Sequence, residues 1–336
     1  MTKGPTSLPE RPDQATDEDT LTDLFRTVRF TRCIYYTVDV ASPWPAIQVP
    51  EGDAIASSLG PRSRAVVSYH VLIEGTCFTG LESGEPVKLE RGDIVLYPRG
   101  DAYFLAPSLG ERPARADVAQ LSALLGGVVA GKVPPAFRFG PEGGERTRFV
   151  CGFLGCDPRP FDPLLDALPN VLHVKSVGGR LKELVDLALT TVDGPGAASL
   201  RERLSESMFI ETVRDHVARL PAKQAGWAGG LRDPIVARAL ATLHADPAHA
   251  WSLAVLAKKV GASRSVLADR FTKLVGQPPM QYLTQRRMQA AVSMLGGSVK
   301  VSEVAREVGY DSEAAFSRAF KKAMGVAPAA YARRAR

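Results

Sequence analysis

The sequence predicts a multidomain protein of mixed α and β class: a β-rich N-terminal domain, sandwich or small barrel, then a helical connecting region and an all-α C-terminal domain. Three observations carry that prediction. The chain has 336 residues, enough for two cores at roughly 100–200 residues per domain. Short apolar runs broken by Gly-, Asp- and Pro-containing turns fill much of the first half, whereas helical periodicity fills the last third. Charge divides in the same place: Leu231 to Arg336 carries 17 Lys and Arg against 7 Asp and Glu, leaving 25 against 29 for residues 1–230.

Composition excludes several classes. Hydrophobic residues at 45% and charged residues at 23% rule out a wholly disordered or collagenous chain. The longest nearly apolar stretch, Leu121 to Gly131, falls short of the roughly 20 residues of a membrane-spanning helix. No apolar segment follows Lys3, so a cytoplasmic protein without membrane association is expected. Four cysteines, Cys33, Cys77, Cys151 and Cys156, are too few for a disulfide scaffold and are expected as reduced thiols.

Residues 1–19 are rich in Pro, Thr and acidic residues without periodicity, and are expected to be a disordered tail. From Ile34 to about Val49 the chain is β-branched and aromatic. From Val66 to Leu105 short strands are separated by Glu74-Gly75, Ser83-Gly84, Arg91-Gly92-Asp93 and Pro98-Arg99-Gly100-Asp101. Residues 106–146 carry no clear pattern and are expected to be a surface excursion. Helices are predicted from about Gly179 to Val192 and from Ala197 to Leu220, the second with Leu200, Leu204, Phe209, Val213 and Val217 on one side, for packing on the β domain or for a dimer interface. Pro221 to Gly230 is a linker by composition. The domains are therefore 20–165, 166–230 (helical, dimerisation or linker) and 231–336.

The last domain is helical throughout. Asp233-Pro234 begins a helix ending near His244; Ser252 and Ser263 cap two more, stopping at Gly261 and Gly276; a longer one runs from Met280 to Leu295. Then the plan repeats at an offset of 48 to 49 residues. Ala257 and Gly261 match Ala305 and Gly309; Phe271, Gly276, Pro279 and Tyr282 match Phe320, Gly325, Pro328 and Tyr331. A small Ala lets two helices approach, Gly takes the positive φ of the turn, and Leu267 with Phe271, or Phe316 with Phe320, point inward at i and i+4. Each copy is a helix-turn-helix, whose second helix enters the major groove of DNA. The connecting helix spans roughly 24 Å at 1.5 Å per residue, a strut for presenting two readers to one DNA face, where grooves recur every 34–36 Å or so. Base readout is expected from Arg264, Ser265, Ala268 and Asp269 in the first copy and Glu313, Ala314, Ser317 and Arg318 in the second. Lys273, Arg286, Arg287, Lys321 and Lys322 suit phosphates.

At these residues the sequence resembles the AraC/XylS family of transcription regulators. WSLAVLAKKVGASRSVLADRFTKLVGQPPMQYL and VSEVAREVGYDSEAAFSRAFKKAMGVAPAAY are similar to its paired helix-turn-helix domain. YHVLIEG, VKLERGDIVLYPRGDAYFL, RFVCGFL and LDALPNVLHV are similar to segments of the subgroup with an N-terminal cupin-like β-barrel. The resemblance implies binding to promoter double-stranded DNA, sensing of an unknown small-molecule or redox signal, self-association as a homodimer, and action alongside RNA polymerase.

Some cupins hold a catalytic metal, and two motif slots bear on that. Gly92, Pro98 and Gly100 keep the spacing of the second metal motif, but Tyr103 stands where its His belongs; His70 is present in the first, with Leu72 in its second slot. One imidazole cannot supply the three or four ligands required, so no metal, no cofactor and no catalytic residue is expected. His70 and Tyr103 are candidates for an effector pocket, His70 equally for an interior hydrogen-bonded histidine. Redox sensing by Cys33, Cys77, Cys151 or Cys156 would need a thiolate stabilised by basic neighbours such as Arg32 or Arg148. Two rival readings are an architectural DNA-binding protein without effector sensing and a cupin enzyme fused to a DNA-binding domain.

Overall fold

The computed structural model describes residues 21–22, 25, 28, 30–63, 65–156, 164–165, 168–175, 179–190, 194–220, 230, 233–295 and 299–335. The expected tail 1–19 and nearly all of the expected linker lie outside them. The chain divides into two compact units, Thr27–Leu220 and Pro221–Arg336, the latter grouped with Met1–Arg26. Among the described residues no helix is long and apolar enough to cross a membrane.

The first unit is built on two sheets. One has six strands in the order β11 (Leu172–Val174), β6 (Ile94–Tyr97), β3, β10, β1 and β9; the other has five, β5 (Val87–Leu89), β4, β7, β2 and β8, and a short helix α1 (Gly52–Ala56) follows β2. Their long members are β1 (Phe30–Ala41), β3 (Ala65–Glu74) and β10 (Arg146–Cys156) in the first sheet; the second centres on β7 (Tyr103–Ala106), flanked by β2 (Ile47–Val49) and β4 (Cys77–Leu81). The sheets face each other without closing into one hydrogen-bonded barrel. β-branched and aromatic residues fill β1, FTRCIYYTVDVA, as expected for a pleated surface buried on both sides. Alternation then sorts its side chains. Ile34, Tyr36 and Val40 join the core between the sheets, while Cys33 and Tyr35 turn outward.

The outer face of the six-stranded sheet is covered by α3 (Gly179–Thr190) and α4 (Ala197–Arg219). Tyr35 Oη donates to the Ala188 carbonyl at 3.0 Å, and Tyr69 Oη lies 3.1 Å from Ser205 Oγ, which donates to the Ile34 carbonyl. Gly152 makes this docking possible: a Cβ there would fall 1.9 Å from the Tyr69 ring. Leu204, Phe209, Val213 and Val217 are buried as the periodicity requires, but Leu200 is 46% exposed, so the packed stripe begins one turn later than expected.

Residues 106–146 are more ordered than their pattern suggested. They hold β8 (Ala114–Arg115), α2 (Val118–Val129) and β9 (Ala136–Phe139). Asp117 caps α2, accepting from the amides of Ala119 and Gln120 at 2.8 and 3.1 Å, and Leu125 and Val128 anchor it. β9 pairs in parallel with β1, Thr37 opposite Ala136.

In the second unit α5 (Pro234–Ala245) precedes a first helix-turn-helix, α6 (Leu253–Lys259) and α7 (Arg264–Val275). The connecting helix α8 (Pro279–Leu295) leads to the second, α9 (Val301–Glu307) and α10 (Glu313–Met324), and α11 (Pro328–Ala335) ends the chain. Serine caps start α6, α7 and α10, with Ser252, Ser263 and Ser312 accepting from the amides of Val255, Val266 and Ala315. Left-handed Gly276 and Gly325 end α7 and α10, the conformation only glycine adopts without strain.

Candidate functional site

The repeat seen in the sequence is a repeat of physical contacts. Leu267, Phe271, Phe316 and Phe320 are fully buried, and each inward Phe meets the Tyr of its own copy edge-on. The Phe271–Tyr282 centroids are 5.6 Å apart at 70°, those of Phe320 and Tyr331 5.6 Å apart at 77°. Ala257 and Ala305 are buried at matching positions in the first helix of each copy. The turn glycines, Gly261 at φ +72° and Gly309 at φ +82°, have the expected conformation. They differ in surroundings: a Cβ on Gly261 would meet open space, whereas one on Gly309 would fall 2.2 Å from the Ala248 carbonyl oxygen.

Opposite these buried faces lie the expected DNA-facing residues. Arg264, Ser265 and Asp269 on α7 and Glu313, Ala314 and Arg318 on α10 are exposed, and Ala268 and Ser317 are half-buried. Lys273, Lys321 and Lys322 are exposed one turn further on. Val266, 40% exposed on α7, is an apolar group beside Ser265 that polar-residue reasoning passed over.

Arg286 and Arg287 have different surroundings. Arg286 Nη1 donates to Gln289 Oε1 at 2.8 Å on its own helix. Arg287 donates from Nε to the Pro247 carbonyl and from Nη2 to the His249 carbonyl, both at 2.8 Å, and its guanidinium lies 5.5 Å from the centre of the Tyr310 ring. Arg287, expected at a phosphate, has its planar donor fork engaged inside the protein by carbonyls of the α5–α6 loop, in the manner of a clamp. It joins that loop to the turn of the second reader, where Gly309 also abuts Ala248. Arg270 is committed too, 3.1 Å from Asp233, the cap of α5. His244 Nε2 lies 2.6 Å from Tyr282 Oη, and burial holds that imidazole neutral, its pKa well below the usual value.

In the first unit, strand register places Tyr36 opposite Cys151 and Cys151 opposite His70, so three side chains form a row on the inner face. His70 Nε2 is 2.6 Å from Tyr103 Oη and Nδ1 is 3.1 Å from Cys151 Sγ. Tyr103 stacks on Tyr97 with centroids 3.8 Å apart, and Tyr97 Oη lies 2.5 Å from Thr79 Oγ1. Desolvation pushes the His70 pKa down to about 3 and that of Tyr103 well above the ordinary phenol value, so both are neutral. Among the described residues no three His, Cys, Asp or Glu side chains cluster as metal ligands.

All four cysteines are buried free thiols. Desolvation raises the Cys33 pKa, as do Glu206 and Glu202; burial also raises Cys151 and lifts Cys77 to about 12. Acidic residues dominate the charges near Cys33, and burial disfavours the thiolate at Cys33, Cys77 and Cys151, the opposite of the environment that redox sensing would need.

Comparison with known proteins follows the same division. A family model described as Cupin matches residues 19–218, and one described as Helix-turn-helix domain matches residues 256–334. A putative AraC-like transcription regulator of Streptomyces antibioticus is 36% identical over 79% of this chain and 86% of its own length. The chain belongs to the AraC-like family of transcription regulators. The HTH-type transcriptional regulator AlkR of Acinetobacter baylyi is 29% identical over 93% of this chain and 98% of its own. Among solved structures, the C-terminal domain of AraT, a response regulator from Geobacillus stearothermophilus, is 34% identical, covering 30% of this chain and 86% of that one with a TM-score of 0.29. As an AraC-like regulator the chain binds DNA through its C-terminal unit, and its N-terminal unit is of the cupin kind.

Proposed function

We propose that this regulator binds promoter DNA by placing α7 and α10 in major grooves of one duplex, and that the cupin unit adjusts this binding in response to a small molecule. The observation that carries the reading is the repeated reader: buried inner face, serine cap, glycine stop and an exposed outer face. In this account Arg264, Ser265, Ala268, Asp269, Glu313, Ala314, Ser317 and Arg318 read base edges, and Lys273, Lys321 and Lys322 neutralise phosphates. In this reading the protein acts in the cytoplasm beside RNA polymerase as a regulator and not as an enzyme. Two copies associate through α3 and α4, where Leu187 and Leu200 are 47% and 46% exposed; light scattering of the full chain tests that.

The test of the DNA reading is the affinity of the full chain for the sequence it enriches most from a random DNA library against unselected random DNA at fixed salt. A ratio on the order of 10³ or more is expected. Replacing Arg318 by Ala should cost roughly 1–3 kcal/mol at one position of the site. Equal affinity for both DNAs would refute sequence-specific regulation and leave an architectural role.

A further inference from the structure

The two sheets of the cupin unit enclose a cavity of about 450 Å³, within the range of roughly 300–1,000 Å³ typical of small-molecule sites. Strand alternation sets its walls: Tyr36 and Val38 from β1, and Phe149 and Phe153 from β10, face inward. Leu121 and Leu124 of α2 and Phe137 of β9 cover it, so the segment that looked featureless in sequence supplies its roof. At the rim Ile47 and Phe139 are 39% and 52% exposed, large apolar side chains held where a molecule would enter.

Among the described residues no Asp, Glu, Lys or Arg lines the cavity. An ionised ligand would therefore shed its water with no counter-charge, at a cost of several kcal/mol or more. A polyol fares badly for a related reason. His70 lines the wall, but its two ring nitrogens are engaged by Tyr103 and Cys151, so a ligand bearing many hydroxyls would leave most of them unsatisfied.

We propose that this cavity binds an uncharged, predominantly apolar small molecule, hydrocarbon-like or aromatic, carrying at most one or two hydrogen-bonding groups. The inference rests on the effector-sensing reading and specifies its ligand class.

The test titrates the full chain with the neutral fluorophore N-phenyl-1-naphthylamine. One saturable site is expected, emptied by decanol or naphthalene and resistant to glucose and to decanoate at equal concentration. Leu124→Trp and Ala116→Phe, which fill the cavity from its roof and wall, should each weaken the probe at least about tenfold, some 1.4 kcal/mol, with unfolding temperature and DNA affinity unchanged. Ala116→Phe keeps the test decisive if Leu124→Trp fails to fold. Absence of saturable binding, equal binding by the filled variants, or equal displacement by glucose or decanoate would overturn the ligand class. DNA affinity measured with the same compounds separates the two readings. A charged or polyhydroxy compound that alters it while the neutral set does not bind sinks the class and leaves sensing intact; neutral compounds that bind without altering it uphold the site and sink sensing.

Discussion

Replacing Arg287 by Ala distinguishes an internal clamp from a DNA contact. The side chain makes two charge-assisted hydrogen bonds of 2.8 Å to backbone carbonyls and lies over Tyr310. Such bonds contribute about 1.5–3 kcal/mol each, and a half-exposed cation–π contact adds about 0.5–1 kcal/mol. Arg287 is only half-buried, so water re-solvates the released carbonyls and takes the loss below the lower-end sum of about 3.5 kcal/mol, to a net of about 2–3 kcal/mol. For a domain of this size that lowers the unfolding temperature by on the order of 10–20 °C. Lys should not restore it, since an ammonium cannot reproduce the planar fork. The companion assay is DNA affinity of the full chain against salt. A clamp leaves the slope of log K on log salt unchanged, whereas loss of one phosphate contact reduces it by about 0.9. Unchanged stability with a reduced slope would refute the clamp.

Gly309→Ala should destabilise the DNA-binding unit more than Gly261→Ala. Both incur about 1–2 kcal/mol for a left-handed backbone, but only Gly309 also meets the Ala248 carbonyl; equal unfolding temperatures would contradict this. Gly152→Ala drives a Cβ into the Tyr69 ring and should cost about 3 kcal/mol, the upper end of overpacking penalties; calorimetry should show the loss partly relieved by adding Tyr69→Ala. Acid should weaken the cupin unit through His70. Its pKa is pushed down to about 3 in the folded state, so the unfolded chain binds the extra proton. That contribution is fully present above pH ~6.5 and declines by about 1.4 kcal/mol per unit as pH falls toward ~3. His70→Gln should remove one proton's worth of the slope in urea unfolding measured from pH 7 to 5, and an unaltered slope would exclude His70 as its source.

How much of this was legible beforehand varies with the range of the interactions involved. The DNA-binding unit was legible because local rules set it: Ser263 and Ser312 cap, Gly276 and Gly325 stop, and the Phe-x4-Gly-x2-Pro-x2-Tyr spacing recurs. Those signals act within a few residues. The fate of Arg287 was not legible, because its partners Pro247 and His249 come from a loop some forty positions earlier, and an arginine on a helix beside a reader has the same local pattern whether it faces phosphate or carbonyl. The cavity was half legible. The β-rich pattern from Ile34 to Val49 was read and His70 was singled out, but the alternation that turns Tyr36, Phe149 and Phe153 inward was not drawn from it, and the roof was missed. α2 carries Gly126 and Gly127 in an apolar run without clear amphipathicity, and β9 is a short strand held by parallel pairing to β1, which no adjacent residue announces. The cysteines are free thiols as expected, but their charge environment was not legible: Arg32 precedes Cys33 in sequence yet pairs with Glu202 at 3.2 Å, and α4 brings both Glu202 and Glu206 to the thiol.

The most direct measurement of the central claim is selection of binding sites for the full chain from a random DNA library, repeated with Arg264→Ala and with Arg318→Ala. Two short blocks of preferred bases should emerge, their centres about 10–10.5 base pairs apart, with each variant blurring one block and sparing the other. No enriched sequence, or a single block indifferent to both substitutions, would contradict reading by paired helices.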